Sequence, residues 1–345
     1  MAVRTEFEKN GFDVIRYAAA CSVMMLHYAS YSMIVSEQAA DIMDKARHTA
    51  LLFPGVVILF AMSCFLVTAS LERTADTKVF LKKRLTRIYP ELWLCTLINL
   101  SVVGILVPEL LDGGMLVWVV TQIFGIANTP SCLKGFATGS INGALWTIFT
   151  EVQLYLVLCL LYRFFKKWRS GHFTVFLGIC AAANLLCAAA AENIGGIAAK
   201  LIERLFLPYA LWFFIGVFCY LKRDRLLPVL RKAFLPGLFI FIMIDRIPVK
   251  IPGYYTNILI SIFLPLLVIG GGNCLPQIRI RCDLSYGMFL YHWIVLNIII
   301  HFDFMNRLPW YVNVMFFIVA TLLTAWLSQL FVKRAGYVLR LIRRR

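Results

Sequence analysis

Three ionisable residues, Asp13, Arg16 and His27, stand inside one apolar stretch at residues 11–35, GFDVIRYAAACSVMMLHYASYSMIV. The stretch is hydrophobic enough to cross a bilayer. An ionisable side chain in hydrocarbon costs about 2.5–3.5 kcal/mol on insertion scales, so residues retained there mark a functional site by default. At about 100° per residue, the eleven-residue separation of Arg16 and His27 brings them within roughly 20° of each other on the helix surface and sets them about 16 Å apart along its axis. Asp13, Arg16, Ala20, His27 and Tyr31 therefore form one stripe, with Arg16 near one membrane face and an imidazole towards the other. A membrane histidine can simply pack against a neighbour. The stripe with Asp13 and Arg16 shifts the balance towards a functional role.

Glu151, in LWTIFTEVQLYL, is an acidic residue inside a second apolar run and needs a partner. Counted from the ends of the two runs, Glu151 lies about 10 Å below the outer end of its helix and His27 about 22 Å above the inner end of its own. In a core about 30 Å thick these depths nearly coincide. A carboxylate beside an imidazole orients it and raises its basicity; the alternative is a structural pair that pins two helices. Lys82, Lys83, Arg84 and Arg87 form a basic run. Arg84 and Arg87 share a face if the run is helical, and paired guanidinium forks suit phosphate, although a cytoplasmic loop is basic without any ligand. Ser285, Tyr286 and His292, in SYGMFLYHWIV, complete the candidates. His292 is expected near mid-membrane, lining a cavity or bonded within the bundle.

The elements that position these residues must be membrane-crossing helices. Of 345 residues, 61% are hydrophobic and 15% charged, and the apolar residues come in runs of about twenty between short polar segments. No hydrophilic stretch is long enough for a soluble domain. The opening MAVRTEFEKN lacks the layout of a cleaved signal, because Glu6 and Glu8 interrupt its basic region, and reads as a cytoplasmic tail. The net charge of +16 reads as topology charge facing the cytoplasm and not as a nucleic-acid footprint. Ten cysteines with no CxxC pair read as small core residues, with no metal or disulfide framework.

Spans are expected at 12–34, 51–71, 88–107, 144–165, 173–191, 203–221, 233–247, 254–274, 283–301 and 310–332. This is an all-α polytopic transmembrane bundle of about ten spanning helices, a single domain over 1–345, with both termini cytoplasmic. A polar connection carrying Glu37, Asp41, Asp44 and His48 follows the first span. Segment 111–127 is apolar but short and contains Gly113 and Gly114. If it crossed, the basic segments 166–169, 222–232, 277–281 and 333–345 would all face outward. Charge bias therefore makes 108–143 an outer segment, interfacial or re-entrant, with Trp118 as an anchor. The basic amphipathic tail 333–345 is expected on the inner leaflet. No internal repeat suggests the inverted halves of a transporter.

At five places, spread over nearly the whole chain, the residues resemble the membrane-bound acyltransferase family 3, whose members O-acetylate sugars and other cell-envelope or secreted molecules. Arg16, with ten residues before His27, is similar to the first-span signature. Phe60, Ser63, Cys64, Phe65 and Leu66 resemble the pattern aromatic-x-x-Ser-Gly-aromatic-Leu. Arg84, Arg87, Ile88, Tyr89 and Pro90, followed by Trp93, resemble the basic loop and third-span start. Leu145, Trp146, Thr147, Glu151 and Tyr155 resemble Leu-Trp-Thr-x-x-x-Glu-x-x-x-Tyr, and Ser285, Tyr286, Gly287, His292 and Trp293 the late Ser-Tyr-Gly…His-Trp element. Two positions depart from the pattern: Cys64 replaces glycine, which predicts a wider helix approach there, and Leu92 replaces a frequent tyrosine. The esterase-like domain often fused to the family has no counterpart in this chain.

The resemblance implies acetyl-CoA as donor, entering from the cytoplasm with its phosphates on Arg84, Arg87 and Lys83 and its pantetheine arm passing Arg16. It implies His27 as base or acyl carrier, oriented by Glu151, with Asp13, Ser63, Trp146, Tyr155, Tyr286 and His292 binding substrate or supporting the site. The implied acceptor is a sugar hydroxyl of a polysaccharide, oligosaccharide precursor or glycolipid, reached from outside a multi-pass protein of the cytoplasmic (inner) membrane. No metal is implied. Two other readings use the same residues: a secondary transporter of a small anion or sugar-linked lipid with a proton relay, and a non-catalytic membrane scaffold.

Overall fold

The computed structural model describes residues 11–246, 251–278, 280 and 282–342, and all regular structure among them is helical. The helices are α1 (Phe12–Val35), α2 (Ala40–Leu52), α3 (Gly55–Thr74), α4 (Thr77–Leu106), α5 (Gly114–Ile123), α6 (Trp146–Phe165), α7 (Ser170–Asn193), α8 (Gly196–Arg204), α9 (Ala210–Leu221), α10 (Arg223–Asp245), α11 (Ile258–Cys274), α12 (Ser285–His301), α13 (Phe304–Arg307) and α14 (Trp310–Ile342). Seven stretches are long and apolar enough to cross a membrane: α1, α2 with α3, α4, Gly143–Phe165, α7, Arg223–Ile244 and Trp310–Tyr337. An eighth is reached by counting Ala198–Arg204 with Leu207–Leu221, a pair bent by 49°. The chain is an all-α polytopic membrane protein. The segment expected as one continuous span at 203–221 is thus interrupted by a bend between Arg204 and Leu207.

Local chemistry makes helix of several segments expected as loops. The polar connection after α1 becomes α2, which stops just before Pro54 because proline disfavours helical backbone in the residue preceding it. At the other end of α3, Ala75 adopts the left-handed conformation (φ 60°) and its N–H caps the Leu71 carbonyl. Asp76 then caps α4, its Oδ1 accepting from the N–H groups of Lys78 at 2.7 Å and Val79 at 3.2 Å. The basic run 82–87 consequently lies on α4 and not in a loop. The basic segment at 222–232 is likewise helical from Arg223, and the tail continues α14 without a break to Ile342.

The described chain divides into two compact units. The first takes the residues up to Ser22, Ala50–Lys82, and the stretch from Thr150 to residue 280. The second takes Val23–Thr49, Lys83–Phe149, and the stretch from Cys282 onward. In the first unit α3 packs on α9 and α11, α10 on α11, and α7 on α9. Cys64 does not hold α3 off: a Cβ at Gly216 of α9 would strike the Cys64 sulfur and come within 2.7 Å of the Ala61 carbonyl oxygen. The small residue that close packing needs sits on the facing helix. In the second unit α12 packs against α14, and a Cβ at Gly287 would lie 2.7 Å from that of Ala325.

The second unit also contains the segment that follows α4. Met115 and Trp118 of α5 share a buried cluster with Val103 and Val107 at the end of α4. The carbonyls of Ile123 and Phe124 accept from Trp93 Nε1 at 3.1 Å and Tyr89 OH at 3.2 Å. Thus α5 runs antiparallel to α4, and its last residues lie about 20 Å back along it at 1.5 Å per residue. With a rise of only about 15 Å it is too short by itself to cross a bilayer core about 30 Å thick. The chain turns at Gly125 (φ +75°), between the side chains of Leu92 and Ile148. Two expectations change. Trp118 is 1% exposed and packs this hairpin instead of anchoring an interface. And α6 begins beside Leu92, inside the bundle, not at the surface from which the depth of Glu151 was counted.

Candidate active site

In the second unit His27, towards the end of α1, meets His292 of α12. His27 Nδ1 lies 2.8 Å from His292 Nε2, and the rings are within 4° of parallel. His292 Nδ1 lies 3.1 Å from the carbonyl oxygen of Met288, one turn back on α12. His292 is 0% exposed, whereas His27 is only partly buried. The indole of Trp293 stands at 69° to the His27 ring, with centroids 4.6 Å apart. Tyr31, one turn after His27, packs edge-on against the same indole.

Irregular backbone survives at membrane depth only when its polar groups are satisfied by protein or water. Here residues 138–142, which follow the α4–α5 hairpin, are bound by side chains of α12 and α1. Trp293 Nε1 donates to Thr138 Oγ1 (3.0 Å) and to the Ser140 carbonyl (3.1 Å). Asn297 Nδ2 donates to the Ser140 and Ile141 carbonyls, and its Oδ1 accepts from the N–H and hydroxyl of Thr138. Tyr31 donates to the Thr138 carbonyl at 3.3 Å, and Asn142 Nδ2 to that of Leu290 at 2.8 Å. Gly143 follows because any Cβ there would overlap the Trp293 ring. Asn297 escaped the sequence reading, although an amide inside the apolar run YHWIVLNIII was visible.

Near the start of α12 the same unit gathers charged groups. Ser285 donates its N–H and hydroxyl to Asp283 Oδ1, and Tyr286 OH donates to the Ile88 carbonyl of α4. Arg87, with its side chain 58% exposed, reaches Asp283 Oδ2 only at 4.0 Å. Lys83 is exposed as well, so the basic face of α4 is accessible to an anion. Glu91 is a second feature the sequence reading passed over: its carboxylate occupies the space that a Cβ on Gly287 would crowd, at 3.1 Å.

In the first unit Glu151 has partners of its own. Its Oε1 accepts from Ser63 Oγ at 2.9 Å and from Tyr155 OH, one turn along α6, and Ser63 Oγ and Tyr155 OH are themselves 3.1 Å apart. Three of the motif residues, from α3 and α6, therefore form one cluster. Asp13 and Arg16, on the first turns of α1, pair at 2.8 Å as the i, i+3 spacing suggests. Trp146 opens α6.

These features define a polytopic helical membrane protein with a bonded imidazole pair on apolar helices and a solvent-facing basic helix face. Residues 9–333 match the family model described as an acyltransferase domain, and the chain belongs to that family, the membrane acyltransferases of family 3. It is 28% identical over 322 residues to Nodulation protein 10 of Rhizobium leguminosarum bv. viciae, which covers 85% of this chain and 84% of that protein. No solved structure matches it. Membership supports acyl-transfer chemistry dependent on acyl-CoA, with acetyl-CoA the family's usual donor.

Proposed function

We propose that this protein is an integral-membrane O-acyltransferase of the cytoplasmic membrane. It moves an acetyl group from cytoplasmic acetyl-CoA to a sugar hydroxyl of a cell-envelope polysaccharide, oligosaccharide precursor or glycolipid. The observation that carries the reading is the imidazole pair: within an acyltransferase family, the histidine of the Arg16–His27 stripe is partly exposed and held by His292. His27 takes the proton of the acceptor hydroxyl as its oxygen bonds to the thioester carbon. The carbon–sulfur bond breaks, and the imidazolium returns the proton to the coenzyme A sulfur. If His27 instead carries the acyl group, the same ring is the nucleophile.

Arg84, Arg87 and Lys83 hold the donor phosphates, which the exposure of Arg87 and its long contact with Asp283 support. Glu151, fixed by Ser63 and Tyr155, is the second ionisable group of the reaction, and Arg16 with Asp13 the third. Trp146 and Tyr286 are supporting residues.

We further propose that 1–345 acts as one domain with ten crossings and both termini cytoplasmic. α11 and α12 have 17 residues each, a rise of about 25 Å that fits a slightly thinned bilayer. Added to the seven long stretches and the bent pair, they make ten. The test is release of free coenzyme A when acetyl-CoA and host glycan are added to purified protein. Mass spectrometry of surface glycans, with and without the protein, identifies the acceptor by its acyl increment.

A further inference from the structure

We infer that His292 is a positioning residue that fixes the tautomer of His27, leaving Nε2 of His27 as the nitrogen that meets the acceptor hydroxyl. The inference rests on the acyltransferase reading and gives its base an atom. It also moves the orienting role from Glu151 to His292.

The argument starts from an atom with a single role. The Met288 carbonyl oxygen can only accept, so the 3.1 Å contact with His292 Nδ1 requires a hydrogen on that nitrogen. His292 is 0% exposed, and its ring bonds His27 and the backbone of Met288 and Phe289. A charge there would be buried without a counter-charge, so the ring is neutral and carries one N–H. Its Nε2 is then a bare lone pair. The 2.8 Å contact with His27 Nδ1 therefore needs His27 to donate, which places the single hydrogen of neutral His27 on Nδ1. His27 Nε2 keeps the lone pair.

The chain Met288 C=O···H–Nδ1 His292 Nε2···H–Nδ1 His27 Nε2 has one direction, and it ends in a base. Trp293, itself held by Thr138 and Ser140, stands edge-on against the His27 ring. When Nε2 takes the hydroxyl proton, the imidazolium charge is shared through the Nδ1–H bond to His292. No hydrogen has to move along the chain for the next turnover.

The experiment uses full-length protein in lipid discs, with its five histidines labelled with ¹⁵N, and the His27→Gln variant to assign the His27 signals. Without substrate, the wild type should show a protonated Nδ1 and an unprotonated Nε2 on His27; a protonated Nε2 overturns the inference. In the kinetic arm, His292→Phe removes the acceptor and should lower kcat roughly 100-fold with KM for acetyl-CoA unchanged. His292→Gln, whose carboxamide oxygen can accept at the Nε2 position, should recover about tenfold of that loss. Equal rates for His292→Phe and wild type, or for the two folded variants, also overturn it. The spectrum needs no turnover. A wild type with a bare Nε2 that releases no coenzyme A would remove the acyltransferase reading and leave the tautomer assignment standing.

Discussion

The cluster around Glu151 and the chain around His27 are buried polar groups built on opposite plans. At Glu151 the bonds converge: Ser63 and Tyr155 both donate to Oε1. At His27 they run in line, from the Met288 carbonyl through His292, and stop. Converging donors hold a carboxylate in one place and one orientation. A line that starts on a pure acceptor leaves a free lone pair at its far end. The difference bears on the proposed reaction: the open line offers an acceptor at the imidazole, whereas at the carboxylate both donors close on one oxygen.

The hardest way to break that contrast is to remove the end of the line. His27→Ala should reduce acyl transfer by about 10³-fold, within the range of a general base, with membrane insertion and yield unchanged. Glu151→Gln comes next. The amide oxygen still accepts from Ser63 and Tyr155 while the charge is lost, so a loss of roughly 100-fold shows that charge is used, and wild-type rates reduce the cluster to a pin between helices. Smaller still, Arg84→Ala with Arg87→Ala should weaken acetyl-CoA binding about tenfold, by loss of charge-assisted hydrogen bonds, with kcat kept. Titration of acetyl-CoA in lipid discs checks this, and unchanged affinity would leave that run with topology alone. Smallest in rate is Gly143→Ala. It overpacks the Trp293 ring and should cost about 1–3 kcal/mol of stability, read as a lowered Tm, with KM for the acceptor raised more than that for the donor.

Hydropathy made the long helices legible, because side chains that face lipid must be apolar whatever they pack against inside; Leu160, Leu186 and Leu235 are each at least 70% exposed for this reason. The helix α1 and its Asp13–Arg16 pair were legible from helical periodicity. The His27–His292 pair was not: a helical wheel says which face a residue occupies and not which of many helices lies opposite, and the two are 265 residues apart. Cys64 misled for a related reason, since close approach belongs to a pair and the small residue of this pair is Gly216 on the facing helix. The return of α5 along α4 is marked by Trp93 and Tyr89 binding the carbonyls at its end, which no apolar run reveals. Gly125, Asn142 and Asn297 were each readable as residues suited to irregular backbone in a membrane, but only once the returning chain was known to need them.

The central claim is that His27 activates a hydroxyl towards the acetyl thioester. Purified wild type and His27→Ala, in lipid discs with acetyl-CoA and host glycan, should be compared for the coenzyme A thiol released. The account predicts steady release with the wild type and near-background release with the variant; equal release by both would contradict it.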